Sequence, residues 1–168
     1  MVVAVTDEEF ALWFERDYRS LVAAVSLVCS SSVVAEEAVM EAFTKAYARR
    51  RSVEAMSSPS AWVYRVAVNE VRMGWRRKRL ERRGDPRRQS ADVEHLPEVH
   101  HELWRAVGRL PRRQREVVAL RYLVSYTQAE IAHALGISAG TVASTLHDAR
   151  TALAKALNPK EDADAHHH

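Results

Sequence analysis

The sequence has little of several residue types that define other classes of protein. Of 168 residues, one is cysteine, five are glycine and five are proline. A single cysteine, Cys29, excludes a disulfide framework and is typical of a reducing compartment. The scarcity of glycine and proline excludes collagen-like and low-complexity chains. With 47% hydrophobic and 28% charged residues, the composition is that of a soluble globular protein.

Long apolar segments are also absent. The longest apolar runs, such as Leu21–Val28, fall far short of the ~20 residues that a membrane-spanning helix needs, so we expect no membrane insertion. No basic and then apolar leader precedes Thr6, which predicts no secretory signal and a cytoplasmic location. The three histidines at 166–168 resemble the remnant of an expression tag and take no part in the functional reasoning.

Signatures of catalysis and of metal binding are missing as well. The chain has no glycine-rich phosphate loop, no nucleophile motif and no pair of carboxylates in an apolar setting. His95, His100 and His101, with nearby glutamates, come nearest to a metal site. Adjacent histidines on a helix point to different faces, however. We therefore predict no catalytic residue, no metal site and no cofactor.

Helical periodicity dominates the sequence, and alternating patterns typical of strands do not exceed a few residues. Thr6 and Glu9 form a capping box that starts one helix. A second helix is predicted over about Val33–Arg51, and Ser58–Pro59 is typical of the start of a third. Four shorter helices are predicted in the second half of the chain. The fold class is therefore all-α.

The predicted helices fall into two groups, which indicates two small domains. Residues 6–83 hold the three longer helices, and residues 98–158 hold the four shorter ones. Between them, residues 84–97 contain one glycine and two prolines and have no sustained apolar period. We expect this segment to be a flexible linker, long enough that the domains need not touch. Residues 159–168 form a tail.

Positive charge is concentrated in one block of thirty residues. Residues 61–90 hold ten lysines or arginines against three acidic residues, whereas the parts before and after carry small net negative charges. Spacings of three and four place one polar stripe on a single helix face: Arg65, Asn69, Arg72, Arg76, Arg79 and Arg83. Such a stripe predicts binding to a polyanion through counterion release. A membrane-surface helix is the weaker interpretation, because large core-type aromatics occupy the opposite face.

A second pattern typical of DNA binding lies in Tyr126–Leu157. Thr127 and Glu130 form a capping box, and Gly136-Ile137-Ser138 supplies a C-cap, an apolar plug and a new N-cap within three residues. Two helices joined by so short a turn cross steeply, as they do in a helix-turn-helix. The second helix is predicted to lie in a major groove. The alternative is an ordinary helical hairpin.

Three stretches of sequence carry a resemblance to a known family. Residues 35–43 read AEEAVMEAF, residues 59–69 read PSAWVYRVAVN, and residues 110–116 read LPRRQRE ahead of the helix-turn-helix with its Gly140-Thr141-Val142. In this order and spacing they resemble the polymerase-docking helix, the −10-recognition helix and the −35-binding domain of extracytoplasmic-function (group IV) sigma factors of RNA polymerase. The resemblance covers the chain from Phe10 to about Leu157.

The resemblance implies partners and site residues. The partners are promoter DNA and core RNA polymerase, through the clamp helices of its largest subunit and the flap of the second largest. The resemblance leaves open whether an anti-sigma factor is a third partner. Asn69 corresponds to a residue that receives a base flipped from the −10 element. The implied −10 contacts are Arg65, Asn69, Arg72, Arg76, Arg77, Arg79 and Arg83. The implied −35 contacts are Arg121, Thr127, Ser138, Thr141, Ala143, Ser144, His147 and Arg150. The implied polymerase contacts are Glu37, Met40 and Glu41.

The sequence departs from the family pattern at a few of these sites. Met40 stands where the family usually has glutamine, and Met73 is apolar where relatives often carry a polar base contact. Ala143, Thr145 and Asp148 occupy positions that are commonly basic. The promoter sequence is therefore not predictable from these residues.

Two functions outside this family are alternatives. The first is a polymerase-independent helix-turn-helix regulator, which would use the second domain alone and leave residues 1–90 without a role. The second is a protein-binding helical adaptor whose basic face docks an acidic partner.

Overall fold

The computed structural model describes residues 6–81 and 101–158, which form eight helices and no strand. In the first half these are α1 (Asp7–Cys29), α2 (Ser32–Ala48), α3 (Arg50–Glu54) and α4 (Pro59–Glu81). In the second half they are α5 (His101–Arg109), α6 (Arg112–Tyr122), α7 (Gln128–Leu135) and α8 (Ala139–Leu157). The all-α prediction is confirmed. Three predicted features lie outside the described residues: the linker at 84–97, the tail at 159–168, and the side chains of the histidine and glutamate group around 94–101.

Local capping sets the start of α1 and the break after it. Glu9 N–H donates to Thr6 Oγ1 over 3.2 Å, and Thr6 N–H donates to the Glu9 carboxylate over 2.8 Å. At the other end Ser30 adopts the left-handed conformation with φ 58°, and Ser31 caps α2 by accepting from Val34 N–H over 3.3 Å. The predicted interruption at these serines is thus present.

The second predicted helix, Val33–Arg51, is divided in two. The chain leaves the helical conformation at Arg49, with φ −117° and ψ 24°, and the five-residue α3 follows. The redirection buries Val53 of α3 in the core. The first domain therefore has four helices instead of three.

An aromatic cluster centred on Phe43 fixes α1 against α2. The Phe43 ring centroid lies 5.3 Å from that of Trp13, 5.0 Å from that of Phe14 and 6.4 Å from that of Tyr18. Each such pair contributes roughly 0.5–1.5 kcal/mol beyond its burial. Because Phe43 points into this cluster, the opposite side of α2 faces solvent.

The two domains lie against each other, although the linker length would allow them to separate. Helix α1 packs on α6, and α4 packs on α7. Every residue of Leu21–Val28 in α1 is buried, which a helix achieves only when neighbours cover it on all sides. Helix α1 packs against α2 and α4 of its own domain and against α6 of the other. Within the described ranges, no helix is long and apolar enough to cross a bilayer.

Candidate nucleic-acid and polymerase interface

Helix α4 carries the predicted basic stripe on its solvent side. Arg65, Asn69, Arg72 and Arg76 are all exposed, as is the neighbouring Arg77. In the part of the chain that the structure describes, none of the four arginines has an ion-pair partner. Arg79 belongs to α4, but its side chain is not described, and position 83 lies beyond the described residues. The helix thus presents uncompensated positive charge around one amide.

The other side of α4 anchors it in the first domain. Ala61, Ala67 and Val71 are buried in the core, whereas Trp62 and Val66, which the periodicity also places there, are only partly buried. Lys45 of α2 forms an ion pair with Glu70 of α4, which ties the two helices together beside the stripe. The basic face therefore lies on a helix whose other side is packed into the core of the first domain.

The exposed side of α2 holds the residues expected to contact polymerase. Glu37 and Glu41 are exposed, and Met40 between them is 46% exposed. Lys45 Nζ lies 3.4 Å from the Glu41 carboxylate. The hydrogen bond from Lys45 to Glu70 raises the pKa of the lysine, and the hydrogen bond to Glu41 raises it to a lesser extent. Glu37 and Glu41 border a groove of about 350 Å³ between α2 and α4, and Trp75 of α4 forms part of its wall.

The helix-turn-helix is built as its sequence predicts. Thr127 Oγ1 accepts from Glu130 N–H over 3.2 Å, and the Glu130 carboxylate accepts from Thr127 N–H over 2.8 Å. Gly136 ends α7 in the left-handed conformation with φ 65°, which glycine adopts without strain. Ser138 then caps α8 by accepting from Thr141 N–H over 3.0 Å. Thr127 and Ser138 therefore act as helix caps.

The outer face of α8 has mostly small side chains, with one acidic and one basic residue. Thr141, Ala143, Ser144, His147 and Arg150 are exposed, as is Asp148, while a buried stripe on the other side holds the helix in the domain core. That stripe consists of Val142, Leu146 and Ala149. The face can offer hydroxyl, imidazole and methyl contacts to bases but few contacts to phosphates.

Two arginines of the predicted −35 set also have structural partners. Arg150 donates from Nε and Nη2 to the Tyr122 hydroxyl over 3.0 and 2.8 Å, which joins α8 to the end of α6. Arg121 donates to the carbonyl oxygen of Tyr126 over 2.9 Å and holds the connection between α6 and α7. Both side chains are exposed, so both retain N–H groups that can reach a phosphate.

Sequence reasoning missed the residues that join the two domains. Tyr64 of α4 is 1% exposed, and its hydroxyl has no hydrogen-bond partner among the described residues. Beside it lies Glu116 of α6, 2% exposed, whose carboxylate accepts from Arg112 over 3.2 Å and from Arg113 over 3.3 Å. Burial, and then the charge of Glu116, raise the pKa of Tyr64 above its ordinary 10.0. One signal was available: the run Trp62-Val63-Tyr64 places large apolar groups on three successive faces of a helix.

A second contact between the domains surrounds Tyr126. This ring is buried near Asp17 of α1 and Ser60 of α4. The Asp17 carboxylate accepts from Trp13 Nε1 over 2.8 Å, from Arg16 Nε over 2.7 Å and from the Ser60 hydroxyl. Burial alone would raise the pKa of Asp17, but these hydrogen bonds together hold it below its ordinary value.

A cavity of about 240 Å³ separates the domains where α4 faces the helix-turn-helix. On one side it is lined by Arg65, Asn69 and Arg72, and on the other by Leu135 and Gly136. Part of the predicted −10 face therefore faces the second domain across this cavity.

Two family models match the chain in succession. The model of Sigma-70 region 2 matches residues 13–81, and that of Sigma-70 region 4 matches residues 100–153. The RNA polymerase sigma-E factor of Streptomyces antibioticus is 35% identical over 132 residues, which are 77% of this chain and 73% of that protein. The ECF RNA polymerase sigma factor SigM of Mycobacterium tuberculosis is 31% identical over 150 residues, covering 86% and 74%.

Solved structures share the arrangement of the helices. The sigma factor RpoE from Bartonella quintana, in complex with the anti-sigma factor NepR, superposes with a TM-score of 0.69 at 22% identity over 91% of this chain and 99% of that one. CnrH, in complex with the cytosolic domain of CnrY, superposes with a TM-score of 0.62 at 22% identity over 92% and 91%. At this identity the likeness concerns the fold alone.

The two family matches stand in the order that the sequence resemblance predicts. Neither a lone helix-turn-helix regulator nor a helical adaptor accounts for both matches. The chain belongs to the extracytoplasmic-function sigma factors, which bind core RNA polymerase and direct it to promoters.

Proposed function

We propose that three helices of this sigma factor bind three different partners or DNA elements. Helix α2 docks on core polymerase, α4 recognises and melts the −10 element, and α8 reads the −35 element. The corresponding units are residues 6–83 and 98–158, joined by the linker at 84–97. The observation that carries the proposal is the α4 face, where exposed arginines without ion-pair partners in the described parts surround Asn69.

The α4 face combines charge with one group able to read a base. Arg72, Arg76 and Arg77 hold phosphates around the melting point, and Arg65, Arg79 and Arg83 extend the contact along the strand. The Asn69 amide can donate to and accept from the edge of a flipped base. Flipping costs a few kcal/mol, which the phosphate contacts of the neighbouring arginines offset.

The α2 face has the composition of a protein interface. Met40 supplies exposed apolar surface, and Glu37 and Glu41 flank it with charge, so an apolar centre has a polar rim. We propose that the clamp helices of the largest polymerase subunit cover this face. The flap of the second largest subunit contacts the second domain.

The α8 face supplies selectivity for the −35 element. Thr141, Ala143, Ser144 and His147 contact base edges, with thymine methyl groups suited to the alanine. Arg121 and Arg150 flank the groove and contact phosphates. At Thr127 and Ser138 the capped starts of α7 and α8 approach the backbone, where helix N-termini favour anions.

We propose that the protein has no enzymatic activity of its own, needs no cofactor and acts in the cytoplasm. An anti-sigma factor is a further proposed partner, since a structural relative is bound to one.

A reconstituted holoenzyme tests the assignment of α4. Arg72→Ala combined with Arg76→Ala should leave core binding intact, weaken promoter binding and lower the slope of log K against log salt by about 1.4–1.8, since two phosphate contacts are lost. Asn69→Ala should relax base preference within the −10 element more than it lowers affinity. The matched control is Arg19→Ala with Arg51→Ala, two exposed arginines elsewhere on the first domain. Equal effects of the two double variants would refute the assignment.

A further inference from the structure

We propose that the polymerase-docking surface extends from α2 across the neighbouring groove onto α4, where Trp75 is its anchor and Gly74 leaves room for a side chain of the partner. The inference rests on the proposed docking of α2, and it gives α4 a second role beside the contact with DNA. Its evidence lies in the groove of about 350 Å³ between α2 and α4.

Trp75 is a large apolar side chain left in solvent beside the docking residues of α2. It is 41% exposed, although an indole ring is among the largest apolar groups that a fold can bury. It forms part of the wall of the groove that Glu37 and Glu41 border from the other side. Tryptophan is enriched among the few residues that dominate the energy of protein interfaces. Trp75 therefore continues the docking surface onto a second helix.

Gly74 provides an independent observation. It lies inside α4, where glycine destabilises a helix relative to alanine. Among the described residues, a Cβ added here would meet no heavy atom within 4 Å other than those of its chain neighbours and its own helix backbone. Packing inside the chain therefore does not require the glycine. Gly74 lines the same groove, so a side chain of a partner that lies against the α4 backbone accounts for it.

The lining of the groove indicates the chemistry of its occupant. Ala38 and Val71 are buried and give it an apolar base, while Glu37 and Glu41 carry negative charge along the α2 side. Charged residues of α4 border it as well: Glu70, Arg77 and Lys78. An apolar base with charged borders fits one face of an amphipathic helix. The occupant is a clamp helix of the largest polymerase subunit, with basic side chains toward α2 and an apolar side chain against Trp75.

Trp75→Ala tests the anchor in the assembled holoenzyme. Its affinity for core polymerase, measured by competition with labelled wild-type protein, should fall about 30-fold or more, which is the loss at an interface hot spot. Leu12→Ala is the matched control, because Leu12 is an even more exposed apolar side chain of the same domain, at 66%. The control should keep the wild-type affinity. Circular dichroism checks that both variants keep their helices.

Gly74→Ala and Gly74→Leu fill the groove without removing any group. Both should raise the melting temperature by about 1–4 °C, because alanine and leucine favour a helix over glycine. Both should also weaken binding to core polymerase, by about fivefold for alanine and more for leucine, because the partner's side chain loses its space. Such a loss in a more stable protein does not come from unfolding. Gly108→Ala in α5 is the control and should leave the affinity unchanged, since its Cβ position is also open among the described residues.

Hydroxyl-radical oxidation followed by mass spectrometry reads the contact directly in the wild type. Oxidation of Trp75 should fall several-fold when core polymerase binds. Met56, which is 37% exposed in the same domain, should stay reactive and serves as the internal reference.

Unchanged core affinity of Trp75→Ala, unchanged affinity of Gly74→Leu, or unchanged oxidation of Trp75 in the holoenzyme overturns the proposal. Loss of promoter binding by Trp75→Ala with intact core binding also overturns it, because Trp75 would then belong to the DNA face. Glu37→Lys with Glu41→Lys reports separately on α2. If that variant loses core polymerase and Trp75→Ala does not, α2 docks without α4 and the proposed function stands.

Discussion

Replacing Tyr64 by phenylalanine should make the protein more stable. The ring is buried between α4 and α6, and the hydroxyl has no partner among the described residues. An unpaired buried polar group costs roughly 1–3 kcal/mol, whereas its apolar replacement keeps the shape of the ring. We expect Tyr64→Phe to raise the free energy of unfolding by about 1 kcal/mol, which corresponds to roughly 2–4 °C in melting temperature for a chain of this length.

Urea unfolding followed by circular dichroism measures this change, and Tyr122→Phe is the control. The Tyr122 hydroxyl accepts two hydrogen bonds from Arg150 but is half exposed, so its loss should cost about 0.5 kcal/mol or less. The two substitutions remove the same atom and should act with opposite sign. A loss of 1 kcal/mol or more from Tyr64→Phe would show that the hydroxyl is satisfied and would refute the reasoning.

The wild type and Tyr64→Phe should also differ in their stability at alkaline pH. Burial raises the pKa of Tyr64 in the folded chain above its ordinary 10.0. Above about pH 10 the unfolded chain releases this proton and the folded chain does not, so stability falls as the pH rises. Without the hydroxyl, Tyr64→Phe should lose less stability between pH 9 and 11, and parallel curves would contradict the shift.

Two further predictions concern the polymerase and −35 surfaces. Glu37→Lys with Glu41→Lys should abolish co-elution with core polymerase. The circular dichroism should not change, because Lys45 keeps its ion pair with Glu70 when the charge at Glu41 is reversed. Intact co-elution would place docking elsewhere. Asp148→Arg, on the exposed face of α8, should strengthen holoenzyme binding to −35 duplex by about 1 kcal/mol or more and steepen its salt slope, because repulsion gives way to a phosphate contact. No gain would refute the orientation of α8.

The parts of the structure that follow from the sequence are set by neighbouring residues. The capping box of Thr6 and Glu9 and the glycine at the end of α7 each act within a few residues, so their positions are readable from the order of residue types. The same holds for the basic stripe of α4, because helical spacing alone decides which side chains share a face.

The parts that escaped prediction depend on contacts between distant segments. Nothing local marks the break at Arg49, where neither glycine nor proline occurs; the burial of Val53 in the core accompanies it. The contact between the domains pairs Tyr64 with Glu116, and no spacing rule links residues so far apart. The run Leu21–Val28, apolar apart from Ser26, was a usable signal, because a helix that is apolar on nearly every side needs partners on every side.

The weakly charged face of α8 has a consequence for how the chain meets chromosomal DNA. Chromosomal DNA offers about 10⁶–10⁹ non-specific sites, and basic proteins are held on them by phosphate contacts. With Ala143, Ser144 and Asp148 on its exposed face, α8 itself offers phosphates little to hold. Non-specific retention of the chain on DNA therefore depends on the arginines of α4, and α8 contributes mainly where the base sequence suits its small side chains.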